Sequence, residues 1–254
     1  MDNKKIQSHI QMPKLLLKRF SYSDEGFHYY LDVLQGYIGR GHFRSTNTEK
    51  GYYSETMEEI LNESIETPFS RILQMLDGID FDSGTFNLDL KFEEATKLFL
   101  YALLARNPKM IDKGMDESIF LQFLCEQDQH DLMVLSGVDE AGKMRLFDKY
   151  IITFTINKSN VPFVLPISGL YYYSIDGVEH INLPIGPNLA ITLVDKDHAD
   201  KILQDGVVKI YIINEDRHVN KINSFAYRSQ CKMGYGRIIS NNKEALLMMK
   251  NEDV

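Results

Sequence analysis

From residue 150 onward the hydrophobic period of this chain switches from three-or-four to two, and that switch restricts the folds open to it. Runs at 150–156, 170–175, 178–183, 189–194 and 207–213 are rich in β-branched and aromatic residues and are separated by turn residues. That is the pattern of strands on a pleated surface. Asp176 and Gly177 fall between two of the runs. Both central residues of a type I′ turn need positive φ, so the Asp-Gly pair predicts that its flanking strands are antiparallel neighbours.

Upstream the period is helical. Met57, Ile60, Leu61, Ile65, Phe69, Ile72, Leu73 and Leu76 recur at spacings of three and four, which predicts an amphipathic helix over 54–76. Thr56 and Glu59 suit a capping box at its start. Pro68 interrupts the stripe without breaking its register, so a kink or two abutting helices is expected. A second helix is predicted over 92–105, stopped by Pro108, and a weaker one over 117–131. Beyond the strands, the pattern predicts a helix over 215–231, a short strand over 235–239 and a closing helix over 243–249. Helices first and strands later predict an α+β fold. The expected arrangement is a helical N-terminal half (1–145) packed on a mainly antiparallel sheet in the C-terminal half (146–254). No linker, repeat or low-complexity tract divides the 254 residues, so one domain is expected.

Composition narrows the function classes. No apolar run approaches the ~20 residues of a membrane-spanning helix. The start of the chain lacks the uninterrupted apolar stretch of a signal peptide, so the cytoplasm is the expected compartment. The two cysteines, Cys125 and Cys231, lie far apart without ligand spacing and are expected to be reduced, buried thiols. A formal charge of −8 argues against wrapping duplex nucleic acid, which needs clustered Lys and Arg, but leaves room for a local basic groove.

Several constellations could carry chemistry. Gly36, Gly39 and Gly41 stand beside Arg40, His42 and Arg44. A phosphate suits amides flanked by cations, so the three side chains are candidate substrate-binding residues. The spacing matches neither the Walker loop nor the dinucleotide fingerprint, and a structural turn is the plainer reading. Glu59 and Glu66 are seven apart and share a helix face, with Glu58 and Glu63 nearby. Paired carboxylates can divide acid and base roles, although a solvated face opposite the apolar stripe also requires acids there. Asp80-Phe-Asp82 and the 126–131 segment gather oxygen ligands, yet neither closes an EF-hand or zinc pattern, and no metal site is predicted. No Gly-x-Ser-x-Gly elbow or recognisable catalytic Cys motif accompanies the histidines.

Taken in order, several local patterns resemble a bacterial domain-of-unknown-function family, number 4238. Its opening His-x-x-Pro-x-x-x-Leu-x-x-Phe signature is matched by Pro13, Leu17 and Phe20, with His9 standing one residue further from the proline. Glu59 and Glu66 resemble its Glu-x6-Glu helix, and Arg106-Asn-Pro108 its Arg-x-Pro ending. Leu183-Pro-Ile-Gly-Pro187 is similar to its Pro-x-x-Pro turn, and Asn223 to its late helical Asn. One segment departs: 163–169 carries no carboxylate where the family has Ser-Asp-Asn-Pro. The resemblance implies one fold spanning nearly the whole chain.

Two readings of function follow. In one the protein is a non-catalytic binding or regulatory module, with which a homo-oligomer is compatible; the missing acid favours it. In the other it is a hydrolase of nuclease or nucleotidase type, acting on a phosphate-containing substrate. There His9, Glu59 and Arg106 are the candidate catalytic residues, and Asn223 joins the substrate-binding set. Spatial convergence of His9, Glu59, Arg106 and Asn223 separates the two, since acid–base groups must reach one substrate.

Overall fold

The computed structural model describes residues 7–50, 52–53, 55–81, 85–87, 90–106, 150–175, 178–199, 207–234 and 236–251. Four short strands come first: β1 (Gln7–His9), β2 (Phe27–Asp32), β3 (Ile38–His42) and β4 (Thr48–Lys50). Among them lies the six-residue helix α1 (Lys14–Arg19). A helical stretch follows, made of α2 (Glu55–Ile60), a π-helix (Leu61–Glu66) and α3 (Thr67–Asp77). Then come β5 (Thr85–Asn87) and α4 (Leu90–Ala105). The rest of the chain supplies β6 (Tyr150–Asn157), β7 (Leu165–Pro166), β8 (Tyr171–Ile175), β9 (Val178–Gly186) and β10 (Leu189–Asp195). It closes with α5 (Lys196–Ala199), β11 (Val207–Ile213), α6 (Asp216–Met233), β12 (Arg237–Ser240) and α7 (Lys243–Asn251).

This order overturns the expected helical N-terminal half on a C-terminal sheet. Helices are scattered along the chain, and among residues 7–50 four strands accompany one six-residue helix. The longest unbroken α-helical element described, α6 with 18 residues, lies near the C-terminal end. The larger sheet runs β5-β11-β6-β10-β9-β8, and a four-stranded sheet runs β3-β2-β12-β7. The second sheet mixes strands from both ends of the chain, with β2 antiparallel to β12 through Leu31↔Ile238 and Tyr30↔Ile239. Within the larger sheet β11 runs parallel to β6 while the other described pairs are antiparallel. Strands β8 and β9 pair as expected, with Ile175 opposite Val178. The turn residues Asp176 and Gly177 lie outside the described residues, as does the predicted 117–131 helix.

Glycine explains why the early strands escape a period-two reading. Gly39 and Gly41 belong to β3 and face Tyr30 and His28 across the ladder. A Cβ at Gly41 would come within 2.7 Å of His28 Nε2 and Thr46 Oγ1, and one at Gly39 within 2.6 Å of the Tyr30 ring. Half the side-chain signal of the strand is therefore missing because its neighbours fill that space. Gly41→Ala is expected to cost about 1–3 kcal/mol through overpacking against two buried side chains. A thermal melt checks this, since each kcal/mol should lower Tm by about 2–4 °C at this size.

The 55–77 stretch is one continuous helical run whose middle is widened. Pro68 sits in the first turn of α3 and has no N–H to bond back to residue 64, and the Thr67 N–H bonds to the Asn62 carbonyl, an i→i−5 step. The apolar stripe survives the widening. Leu61, Ile65, Phe69, Ile72, Leu73 and Leu76 are all buried. Phe69 stacks on Phe99 of α4 at a centroid distance of 3.7 Å. These residues share one core with Met12, Leu16, Leu17 and Phe20, and with the apolar face of the larger sheet. A second core joins Leu31 and Ile238 of the smaller sheet to Val219, Ile222 and Ala226 of α6 and Leu246 of α7. The first core sets the end of β1, the start of α1, the α2–π segment and the end of α4 around one depression.

Candidate functional site

His9 is the last residue of β1, paired with Thr48 of β4. Lys14 opens α1 directly after Pro13, whose fixed φ suits entry into a helix. Glu55, Glu58 and Glu59 come from α2, and Asn62 and Glu66 from the π-helix. Arg106 follows α4, its N–H still bonded to the Ala102 carbonyl at 3.0 Å. All eight line one pocket of about 370 Å³. Three of the sequence-predicted residues, His9, Glu59 and Arg106, are thus brought together, with Glu66 beside them. A π-helix at the wall fits the tendency of such widened turns to occur at functional sites.

The electrostatics are uneven. Arg106 is only 3% exposed. Its Nη2 donates to Glu66 Oε1 at 2.7 Å, which compensates the buried charge. Its Nε and Nη1 have no hydrogen-bond partner among the described residues. A buried guanidinium with unmet donors is ready to donate to an anionic oxygen, because leaving those N–H groups dry is costly. The His9 imidazole is pushed down to about 4 by burial first, then by the charges of Lys14 and Arg106; a backbone contact from Thr46 works the other way. His9 is therefore neutral at pH 7, and its Nδ1 is another buried atom without a partner among the described residues. The carboxylates of Glu55, Glu58 and Glu59 line the same pocket. Among the described residues no group of three His, Cys, Asp or Glu side chains is placed to hold a metal ion.

The other candidates lie elsewhere. Asn223 is fully buried on α6, where Oδ1 accepts from the Val164 N–H at 3.2 Å and Nδ2 donates to the Pro162 carbonyl at 2.9 Å. It fastens the 161–164 segment to the helix and does not line the pocket. His42 is a brace: Nε2 donates to the Glu25 carbonyl at 2.8 Å, and Nδ1 accepts the Arg44 N–H at 3.1 Å. Arg40 and Arg44 project from β3 and the turn after it, over the rings of Tyr29 and Phe43. Gly39 and Gly41 lie in a strand rather than in a phosphate loop. Of the two acid-rich segments, 82–84 and 126–131 lie outside the described residues.

Sequence reasoning missed Lys14, Glu55 and Asn62 as wall residues, and had Glu58 only as a neighbour of Glu59. Glu55 and Glu59 stand four apart, which places them on one helix face, and that spacing was the available signal. A larger cleft of about 870 Å³ lies elsewhere, bordered by Arg19, Tyr29, Asn188, Asn241 and Asn242. Its rim is fixed by the ion pair of Arg19 with Asp77 at 2.6 Å. It holds no acid–base pair comparable to His9 and Glu59. No family model, curated protein or solved structure matches the chain.

Proposed function

We propose that the pocket around Arg106 is the active site of a hydrolase acting on a phosphate ester. The observation that carries this reading is the buried Arg106 guanidinium, pinned by Glu66 yet left with two unmet donors beside a neutral His9. A phosphoryl group would fill those donors, with Lys14 adding charge. The carboxylates of α2 suit the hydroxyls of a sugar attached to that phosphate, since carboxylates accept hydrogen bonds from hydroxyls. In the reaction the oxygen of a water bonds to phosphorus and the ester P–O bond breaks. The water proton passes to Glu59, and the departing alkoxide takes a proton from solvent. Arg106 and Lys14 hold the negative charge that grows on the phosphoryl oxygens. His9 gives a hydrogen bond without adding charge to the site.

The convergence of His9, Glu59 and Arg106 favours catalysis over a purely binding role. The reading takes the chain as a cytoplasmic bacterial protein of the family whose motifs it resembles. Among the described residues no helix is long and apolar enough to cross a membrane, and Cys231, expected to be buried, is exposed. Hydrolysis of bis(p-nitrophenyl) phosphate and p-nitrophenyl phosphate by wild type, Glu59→Gln and His9→Ala tests it. Losing Glu59 as the base should lower the rate by about 10²–10⁴-fold, and losing the His9 donor by about 10²–10³-fold. Equal rates in all three proteins would exclude the pocket as the catalytic centre.

A further inference from the structure

We infer that the substrate is a single-stranded nucleic acid, held along a cationic and aromatic track that leads out of the pocket across α1 and the β2–β3 hairpin. This rests on the hydrolase reading and adds the class of polymer it acts on. The track is continuous through shared residues. Lys14 lines the pocket, and its Nζ lies 5.7 Å from the centre of the Phe43 ring. Arg44 stands over the same ring at 5.6 Å. Phe43, itself buried in the core and therefore a floor rather than a stacking platform, borders a groove of about 490 Å³ with Lys18, Ser21, Tyr22 and Ser23. Lys14 and Lys18 are both exposed and one turn apart, hence on the same side of α1. Tyr22, 38% exposed, stacks on Tyr29 with centroids 4.5 Å apart, and the Arg40 guanidinium is 5.8 Å from the Tyr29 ring. Tyr29 reaches the large cleft, where Asn188, Asn241 and Asn242 present amides.

Position makes the cluster notable. Lys14, Lys18, Arg40 and Arg44 have no ion-pair partner among the described residues, in common with surface cations elsewhere such as Arg71 and Lys221, but these four stand beside aromatic rings and line or adjoin the pocket and groove. Asp24 on the groove and the α2 carboxylates at the pocket are the opposing charges. Cations that track a backbone, interleaved with rings on which bases stack, are how single strands are bound without strict sequence preference. A duplex keeps its bases stacked inside and cannot use Tyr22 or Tyr29. Amides in the cleft can pair with exposed base edges, which an acidic peptide or a lipid surface does not offer.

Fluorescence anisotropy on the full chain tests this, using fluorescein-labelled single strands of RNA and of DNA, a DNA duplex, a poly-glutamate peptide and phosphatidylserine vesicles. Wild type should bind one or both single strands in preference to the other three, and the RNA and DNA arms identify the sugar. Removing Lys18, Arg40 and Arg44 together should weaken binding at least tenfold. It should also flatten the slope of log affinity against log salt by about 2, near 0.7 for each lost phosphate contact. Tyr22→Ala should weaken binding about tenfold with the slope unchanged, because stacking releases no counterions. Circular dichroism melts confirm that these surface variants fold. No single-strand binding, binding indifferent to both variants, or equal binding to duplex, peptide or vesicle would each overturn the inference. Arg106-dependent hydrolysis of a small phosphodiester without strand binding would overturn the track while leaving the pocket reading standing. Track-dependent binding by a protein inert on every phosphodiester would support the track and reject the catalytic reading.

Discussion

Replacing Arg106 with methionine should silence the pocket while leaving the fold near wild-type stability, whereas Glu66→Ala should lower stability severely. The two partners are unequally buried: the Arg106 side chain is 2% exposed and that of Glu66 22%. Removing Glu66 leaves an unpaired guanidinium away from water, which costs about 3–5 kcal/mol. In Arg106→Met the remaining Glu66 carboxylate keeps contact with solvent, and the methionine stem fills much of the vacated volume. The rate on a phosphodiester should nevertheless fall about 10²–10³-fold, the effect of losing a donor aimed at developing charge. Urea unfolding of both variants, read beside their hydrolysis rates, decides the matter. If Arg106→Met unfolds as readily as Glu66→Ala, or if it keeps full activity, the guanidinium is a structural tie and not an anion receptor.

A second large effect should appear when the protein is acidified. His28 is fully buried in β2, with Nε2 at 2.9 Å from Thr46 Oγ1 and Nδ1 without a partner among the described residues. Burial, and then the nearby His42 and Arg237, push it from 6.5 down to about 4. His9 is displaced in the same direction. In the unfolded chain such a histidine takes up its proton near pH 6.5, while the folded protein resists until about pH 4. Between those values the unfolded state holds more protons, so stability is complete above pH 6.5 and drains away as pH falls towards 4. His28 alone should account for a loss on the order of 3 kcal/mol across that window. Urea midpoints measured from pH 7.5 down to pH 4.5 should fall steadily. In His28→Leu the fall should be shallower whatever the variant's own baseline, and an unchanged slope would reject His28 as the source.

The elements that were legible in the amino-acid sequence are those covered on both faces or along one long stripe. Strand β6 is buried at nearly every position and β10 at all but its last. Such strands read as unbroken apolar runs because nothing selects polar residues on either side. The stripe through Leu61, Phe69 and Leu76 was legible for the same reason. The N-terminal strands were not, because β1 and β4 have three residues each and β3 replaces two side chains with glycine. Strand β2 pairs with β3 nearby and with β12 some two hundred residues later, and no local pattern encodes the second partner. The site divides similarly. His9 and Arg106, which line the same pocket, were singled out through motifs that resemble a family, and Glu59 through its helix-face spacing to Glu66 as well. Asn223 followed from the same motifs and proved to be a clamp on the 161–164 segment. Lys14 and the α2 acids join the pocket only because α1 and the widened helix are folded against each other.

The π-helix at Leu61–Glu66 also acts as a phase shifter between two halves of one rod. Each residue in an α-helix advances the face by about 100°, so a wide turn sets the phase at which the acids of α2 line the pocket while Phe69 and Leu76 keep their seat in the core. Deleting a single residue within 61–66 would let the turn relax to ordinary pitch. Either the carboxylates would then swing off the pocket by about a quarter of a circle, or the core stripe would. A one-residue length change in an otherwise tolerant helix therefore amounts to a rotation of the chemistry against the scaffold, and insertions or deletions there should be far less forgiving than substitutions.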